Sequence, residues 1–180
     1  MARIPLLTQS DLPEEYRYLL SEDAMGEINL LCAMANNPAV LQSYMRYGST
    51  LWSDGGLNSV DLERCILAVA RALDARYEWH QHVPIAREQG VDDEEILAIS
   101  RGEFDQFDER TAALLGYVRD VALGEIDDES FDSLGVHVTD ESVIGATILA
   151  THYLATARFL TALAIPLETE FVGWELEGET

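Results

Sequence analysis

The chain has 180 residues, and its 33 acidic and 11 basic residues give a formal net charge of −22 at neutral pH. With 48% hydrophobic residues it can bury one sizeable core, but it is too short to argue for two domains, so we expect a single domain over residues 1–180. A surface this acidic repels nucleic acid and anionic membranes, and we expect neither as a partner. The apolar runs fall short of the roughly 20 residues of a membrane span, and the N-terminus becomes acidic too early for a signal peptide, which favours a cytoplasmic protein.

The N-terminal part of the chain predicts three helical segments with clear stop signals between them. Residues 10–20, SDLPEEYRYLL, predict a capped first helix, and residues 25–37 continue with an apolar stripe. Pro38 marks a helix restart, because proline fits the first turn of a helix but not its interior. The helix that it opens carries an aromatic face, which usually belongs to the core and less commonly to a pocket wall: Tyr44, Tyr47 and Trp52.

The stretch over residues 63–87 concentrates the unusual polar residues of the chain. Asp74 can cap a second helix that begins near Ala75, so that the segments on either side of it pack against each other as two helices. Without that turn, Glu63 and His82 would lie about 28 Å apart along one continuous helix. With it, we expect a contact between the Glu63 carboxylate and the His82 imidazole.

Two more ionisable residues lie in the same stretch, on different faces of the second helix. Glu78 precedes His82 by four residues, so the two side chains share one face and can hydrogen-bond or exchange a proton. His80 is rotated by about 200° from Glu78 and faces the other side. Isolated Glu and His residues are usually solvated or satisfied in the core. Here the surrounding residues are apolar enough to bury the stretch, and buried carboxylates are rarely unpaired.

The rest of the chain predicts further helices and a tail. An amphipathic helix over residues 108–123 is followed by a connection, residues 125–138, with room for one helical turn. A long apolar helix then runs over residues 139–165, with His152 and Arg158 as polar exceptions to which the sequence assigns no role. No segment predicts a strand, so we expect an all-α, single-domain bundle of about seven or eight helices.

Three segments also carry a resemblance to a known family. Residues 74–99, DARYEWHQHVPIAREQGVDDEEILAI, look like the signature of the carboxymuconolactone decarboxylase family, which shares the alkylhydroperoxidase AhpD-like fold. Residues 31–52 resemble the first helices of that family, and residues 150–168 resemble its closing helix. The resemblance therefore covers most of the chain and implies an AhpD-like helical bundle.

The redox-active branch of this family has a Glu, then a Cys-x-x-Cys pair, then a His after three further residues. In this chain the Glu corresponds to Glu63, the two cysteines to Ala75 and Glu78, and the His to His82. Peroxidase chemistry needs one thiolate to attack the peroxide and a second thiol to resolve the product. Because both cysteines are missing, the resemblance favours proton transfer over peroxide reduction.

We therefore expect a carboxymuconolactone decarboxylase-like lyase with Glu63, Glu78 and His82 as catalytic residues. His82 would act as general acid or base, oriented by Glu63, and Glu78 would be a second proton carrier with a raised pKa. The substrate, a small carboxylated lactone or related acid, is implied by the resemblance alone. Candidate cations for its carboxylate, by their proximity in sequence, are Arg71, Arg76 and Arg87.

Three other functions stay open at this point. The first is peroxiredoxin-like antioxidant activity, which the family resemblance implies. The second is a non-catalytic oligomer that binds a small ligand and needs no chemistry. The third is a metal site at Glu63, Glu78 and His82. The metal is the less favoured alternative because His80 faces away, and we expect no cofactor. Cys32 and Cys65 belong to different apolar helices and are expected to be reduced, packed thiols.

The resemblance also implies a homo-oligomer, a trimer or a hexamer. The apolar tail residues Phe171, Val172, Trp174 and Leu176 follow Pro166 and the last predicted helix. We expect this tail to cover a neighbouring subunit, because a lone monomer would have little core left for it. All basic residues are arginine and the acids are spread along the chain, which favours a halophilic source with a salt-rich cytoplasm.

Overall fold

The computed structural model describes residues 1–178, which form one all-α bundle without a strand in that range. The eight α-helices of these residues are α1 (Asn29–Met34), α2 (Pro38–Asp54), α3 (Ser59–Ala72), α4 (Arg76–Gln89), α5 (Asp93–Arg101), α6 (Glu109–Leu123), α7 (Asp128–Gly135) and α8 (Asp140–Leu163). Short 3₁₀ segments occupy Gln9–Asp11, Glu14–Leu20, Glu22–Ala24 and Phe104–Gln106. The predicted all-α class and the predicted number of helices are confirmed.

Helix α3 is the centre of the bundle. It packs against α4, α5, α6 and α8, and most of its side chains from Asp61 to Ala70 are buried. A helix that is enclosed in this way has no solvent face for its polar residues, so each of them needs a partner within the protein. Glu63 lies on this enclosed part of α3 and is 1% exposed.

The turn between α3 and α4 lies at the predicted place. Leu73 ends α3, and Asp74 adopts a left-handed conformation with φ of 49°. Asp and Asn tolerate this conformation better than most residues, which suits Asp74 to a tight turn. The N-cap of α4 is Ala75, whose side chain cannot cap, so Asp74 makes the turn rather than the cap that was expected. The turn folds α4 back onto α3.

Three segments differ from their sequence-based predictions. The expected first helix is instead two 3₁₀ segments on either side of Pro13, and α1 covers only the middle of the second predicted helix. The connection after α6 holds α7, which is two turns long rather than one. Helix α8 ends at Leu163, where Ala164 takes a left-handed conformation with φ of 52°.

Helix α8 is the longest helix of residues 1–178 and, by length and composition, the one described helix that could cross a membrane. Half of its most apolar 18-residue window is buried within the bundle. The core helix of a soluble protein has the same properties, and the fold is compatible with a soluble protein.

Helices α2 and α8 approach each other closely at two glycines. A Cβ atom on Gly145 of α8 would lie 1.7 Å from the carbonyl oxygen of Gly55, the residue that ends α2. Only glycine permits this approach at position 145, since a side chain would meet rigid backbone. The contact determines where the C-terminal half of α2, which carries Trp52, lies against α8.

The tail packs on its own bundle, which removes the reason for expecting it to cover a neighbouring subunit. Val172 is buried in the core cluster built around α3. The indole Nε1 of Trp79 donates a hydrogen bond of 2.9 Å to the carbonyl oxygen of Gly173, and Trp174 packs on the Trp79 ring at 5.3 Å. Sequence patterns did not reveal the groove beside α4, which supplies the core surface that a lone monomer was expected to lack.

Candidate active site

Glu63 and His82 meet across the α3–α4 turn. The Nδ1 atom of His82 lies 2.8 Å from Oε2 of Glu63, a hydrogen-bond distance. A carboxylate oxygen accepts hydrogen bonds, so Nδ1 donates and the lone pair of the neutral imidazole lies on Nε2. Both residues are buried, with 1% of Glu63 and 6% of His82 exposed. The structure therefore contains the contact expected from sequence, and Glu63 orients the imidazole.

Glu78 is on the Nε2 side of the same imidazole. Its Oε2 atom lies 3.8 Å from Nε2 of His82, one helical turn further along α4. Burial raises the pKa of Glu78 from 4.5 to about 7, while the nearby His82 lowers it by a smaller amount. The carboxyl group is thus present in both protonation states near neutral pH, as the sequence-based hypothesis of a raised pKa required.

Each of the two glutamates has one fully buried oxygen without a hydrogen-bond partner. Neither Oε1 of Glu63 nor Oε1 of Glu78 has a hydrogen-bond partner among residues 1–178, although both atoms are fully buried. Buried polar atoms without a partner are uncommon and costly, and they cluster at functional sites. The gap of 3.8 Å between Glu78 and His82 is also too long for a direct hydrogen bond.

Aromatic side chains cover the open side of His82. The ring of Tyr153 stands edge-on to the imidazole at 5.1 Å, and the Trp52 ring lies 5.8 Å from it. The Trp52 Nε1 atom donates a hydrogen bond of 3.3 Å to the Tyr153 hydroxyl oxygen, which ties α2 to α8 over the imidazole. Trp52 is 41% exposed whereas Tyr153 is buried. Trp52 therefore lies between His82 and the solvent.

Trp52 and Tyr153 form an aromatic layer over His82, and a second histidine extends this layer. His152 of α8 stacks on Tyr44 with ring centroids 5.0 Å apart and an interplanar angle of 27°. The rings of Tyr47 and Tyr153 lie against it at 5.3 Å and 5.2 Å. Burial, and then the nearby His82, lower the pKa of His152 to about 4, so its imidazole is neutral at physiological pH.

The three arginines considered as substrate-binding cations lie elsewhere. Arg71 pairs with Asp74 and stacks on the Trp174 ring. Arg76 lies over the ring of Phe171, and Arg87 pairs with Asp93. These arginines contact the turn, the tail and the start of α5, which gives no support to their expected role as cations for a substrate carboxylate.

The remaining candidate residues are structural. His80 faces away from Glu63, as predicted, and accepts a hydrogen bond at Nδ1 from the backbone N–H of Val172 while Nε2 contacts Thr169. Cys32 and Cys65 are both buried free thiols, and burial raises the pKa of Cys65 far above its usual range, which disfavours a reactive thiolate. Within residues 1–178 no set of three or more His, Cys, Asp or Glu side chains is arranged to hold a metal ion.

The chain has the fold of the AhpD-like proteins. It is similar to a peroxidase-related protein with an alkylhydroperoxidase AhpD core from Ralstonia eutropha JMP134, with 20% identity, a TM-score of 0.78 and coverage of 97% of this chain and 96% of that chain. A peroxidase-related protein from Silicibacter sp. TM1040 gives 18% identity, a TM-score of 0.82 and coverage of 96% and 94%. At such identities the likeness establishes the fold.

A third similar structure is an enzyme with a different activity. It is a Cys-to-Ala variant of the debrominase Bmp8 in complex with 2,3,4-tribromopyrrole, with 18% identity, a TM-score of 0.80 and coverage of 92% of this chain and 91% of that chain. The search of curated proteins found no match.

Residues 38–120 match the Carboxymuconolactone decarboxylase family. This segment runs from the start of α2 into α6 and contains Glu63, Glu78 and His82. The match covers less than half of the chain, and it agrees with the resemblance seen in the sequence, while the solved structures establish the AhpD-like fold.

Sequence reasoning missed the part of the site that comes from distant helices. It named Tyr44, Tyr47 and Trp52 only as a minor pocket-wall alternative, and it assigned no role to His152 or Tyr153. These residues come from α2 and α8, and they meet His82 only in the folded bundle. The sequence feature that could have indicated these residues is the adjacent pair His152 and Tyr153 within an otherwise apolar helix.

Proposed function

We propose that the chain is an acid–base enzyme of the carboxymuconolactone decarboxylase type, a lyase that acts on a small carboxylated lactone or a related unsaturated acid. The observation that carries the proposal is the buried carboxyl of Glu78, whose pKa is raised to about 7 beside the His82 imidazole. A group with such a pKa both gives and takes a proton near neutral pH. The substrate class follows from the family match over residues 38–120.

The reaction needs a proton donor close to one carbon atom of the substrate. When the bond to the substrate carboxylate breaks, CO₂ leaves and its electron pair passes into the unsaturated lactone as a dienolate. The protonated Glu78 carboxyl then gives its proton to the carbon, and the resulting Glu78 carboxylate takes a replacement proton from solvent before the next turnover. The net consumption of one proton balances the loss of CO₂.

His82 and Glu63 support the charge changes of this reaction. The neutral imidazole presents its Nε2 lone pair toward Glu78, so it can accept a proton from the substrate or return one to Glu78. The buried Glu63 carboxylate, 2.8 Å from Nδ1, keeps the imidazole in the required orientation and stabilises the imidazolium that forms. Glu63 is therefore a positioning residue, while His82 and Glu78 are the proton carriers.

The aromatic layer supports a small flat substrate. Trp52 and Tyr153 cover the imidazole and separate it from water. The exclusion of water strengthens the electrostatic interactions at Glu78. The debrominase complex with tribromopyrrole shows that a protein of this fold binds a small flat ring. A five-membered unsaturated lactone has comparable size and shape.

Peroxidase activity receives less support from the same residues. Ala75 and Glu78 stand at the two positions that the redox motif fills with cysteine. Cys65 is completely buried, and its raised pKa disfavours the thiolate that attacks a peroxide. Hydroperoxide reduction in the presence of a dithiol is therefore expected to stay at the level of a blank without enzyme.

The direct test is an assay of decarboxylation with carboxymuconolactone in deuterated water. We expect release of CO₂ together with incorporation of one deuterium at the dienolate carbon that receives the proton from Glu78. Glu78→Gln and His82→Gln should lower kcat at least about a hundredfold, because each removes a proton carrier. Glu63→Gln should lower kcat by about tenfold or more, since the imidazole loses its orienting carboxylate.

His137→Gln is the matched control, because His137 is an exposed histidine in the loop after α7. It should keep the wild-type rate. The proposal is contradicted if carboxymuconolactone and related unsaturated lactone acids show no turnover above the blank. It is equally contradicted if Glu78→Gln and His82→Gln turn over at the rate of the wild type.

A further inference from the structure

His152 is a buried histidine that the acid–base reaction does not use. Its ring shares a neighbour with the catalytic imidazole, because the Tyr153 ring stands edge-on to His82 at 5.1 Å and to His152 at 5.2 Å. After burial, the nearby His82 also lowers the pKa of His152. Both histidines therefore border the same aromatic layer.

The ring nitrogens of His152 are free for a ligand. Neither of them has a hydrogen-bond partner among residues 1–178, although the residue is only 9% exposed. A neutral imidazole offers one N–H donor and one lone pair, and a ligand that reaches the ring can use them. Packing alone does not require histidine here, since a phenylalanine would also stack on Tyr44.

Gly48 keeps space open beside one of these nitrogens. A Cβ atom built on Gly48 of α2 would lie 3.9 Å from Nε2 of His152, with no other atom within 4 Å. Alanine would fit at this distance, whereas a larger side chain would occupy the space in front of Nε2. Tyr47, next to Gly48, is partly exposed, so the space lies close to the protein surface.

We propose that His152 is a second ligand-contacting residue of the site, which hydrogen-bonds an uncharged carbonyl or hydroxyl oxygen of a small planar ring while His82 and Glu78 act on a carbon of that ring. The four aromatic rings that pack around the two histidines, Tyr44, Tyr47, Trp52 and Tyr153, give this region the apolar, aromatic character that suits a planar ligand. A neutral imidazole gains no charge attraction from a carboxylate, so it selects the oxygen of a lactone rather than the group that is lost. This inference rests on the proposed function.

The test uses the wild-type protein and 2(5H)-furanone, an unsaturated lactone without a carboxylate. The ring C–H signals of the four histidines are followed by heteronuclear NMR during a titration, with assignments from single substitutions. Binding should shift the signals of His152 and His82 together and leave those of His137 unchanged. The shift of His152 needs no variant, so it remains informative if a substitution prevents folding.

Variants of His152 and Gly48 distinguish the contribution of the hydrogen bond to ligand binding from the contribution of packing. His152→Phe keeps a stacking ring and should weaken furanone binding about tenfold, the effect of one lost hydrogen bond, while His152→Gln should restore part of the affinity. Gly48→Leu should weaken binding by filling the space at Nε2, and Gly48→Ala should not. With carboxymuconolactone, His152→Phe should raise KM more than it lowers kcat, and His137→Phe should change neither.

Two results would overturn the inference in distinguishable ways. If furanone shifts His82 but not His152, and His152→Phe binds with wild-type affinity, then His152 only packs in the core and the acid–base site stands. If furanone and carboxymuconolactone shift neither histidine, no such ligand enters the site, and both the inference and the proposed function are contradicted.

Discussion

At the scale of single residues, Glu78 shows how burial changes the chemistry of one carboxyl group. The residue is 3% exposed, and removal from water raises its pKa to about 7 because the charged form loses its hydration. Above pH 7 the native protein must hold this charge in its core, next to the buried carboxylate of Glu63 and the His82 imidazole. The same property that suits Glu78 to proton transfer therefore costs stability.

Replacing Glu78 by glutamine should stabilise the protein in a pH-dependent way. Between pH 4.5 and 7 the unfolded chain loses the Glu78 proton while the native protein keeps it, so wild-type stability falls as pH rises through this window. Relative to wild type, Glu78→Gln should gain on the order of 3 kcal/mol in free energy of unfolding from pH 4 to pH 8. Urea unfolding at both pH values measures the difference.

Glu94→Gln is the matched control for this experiment, because Glu94 is an exposed glutamate in the first turn of α5. A constant difference between Glu78→Gln and wild type from pH 4 to pH 8 would show that the Glu78 proton is not linked to folding.

The sequence predicts the polar centre of the site but not its walls. Glu63 and His82 were placed together because one recognisable turn at Asp74 separates their helices, and Glu78 follows from helical spacing. Trp52 and His152 come from α2 and α8, and no local pattern reports which faces of two distant helices meet. Long-range packing of this kind is decided by the whole core rather than by any one segment.

At the scale of helices, the approach of α2 to α8 depends on one glycine. Gly145 lets the backbone at the end of α2 lie against α8, and this contact positions Trp52 over His82. The N-terminal residues show the opposite case, since buried side chains such as Leu19 and Leu20 override the expected α-helix and leave 3₁₀ turns around Pro13. Tertiary contacts thus decide details that helical propensity does not.

Gly145→Ala should destabilise the protein and disturb the site together. Its Cβ would overlap the carbonyl oxygen of Gly55, so α2 must move away from α8, at a cost of roughly 2 kcal/mol in free energy of unfolding. Denaturant unfolding measures the cost, and fluorescence of Trp52, isolated by Phe substitution of the other two tryptophans, reports the movement. Gly116→Ala is the control, because this α6 glycine has no atom within 4 Å of a built Cβ, and it should gain about 0.5 kcal/mol or more.

The tail is a second element whose position is decided by long-range contacts. It lies beside α4, where Val172 is buried and Trp174 packs on Trp79. Val172→Ala should therefore cost about 1–2 kcal/mol in free energy of unfolding, whereas Val136→Ala, at an exposed position after α7, should change it by less than about 0.5 kcal/mol. Equal stability of the two variants would place Val172 outside the core.

At the scale of the whole molecule, the dominant feature is the net charge of −22. Several arginines form local ion pairs, such as Arg110 with the buried Asp61 and Arg101 with Glu175, but all 11 arginines together could neutralise only a third of the 33 acids. The remaining repulsion acts over the whole surface and is screened by salt. The halophilic source and the homo-trimer or hexamer remain predictions. Screening by salt would stabilise both the folded chain and its assembly.

Raising the salt concentration should stabilise the folded chain. The screening length falls from about 10 Å at 0.1 M salt to about 3 Å at 1 M, so the unfolding midpoint in molar KCl should exceed that in dilute buffer by at least about 5 °C. Sucrose at equal osmolality is the control, since it does not screen charge. Full thermal stability after dialysis into dilute buffer would contradict the halophilic hypothesis. Light scattering on the same samples gives the subunit number.

The central claim is that Glu78 is a proton carrier poised near neutral pH beside a His82 imidazole oriented by Glu63. The most direct measurement is the titration of the Glu78 carboxyl carbon by NMR, with ¹³C-labelled glutamate and Glu78→Gln to assign the signal. The structure predicts a midpoint near pH 7, above the ordinary value of 4.5. A midpoint close to 4.5 would contradict the claim, because Glu78 would then be fully ionised at neutral pH and could not donate the proton that the reaction requires.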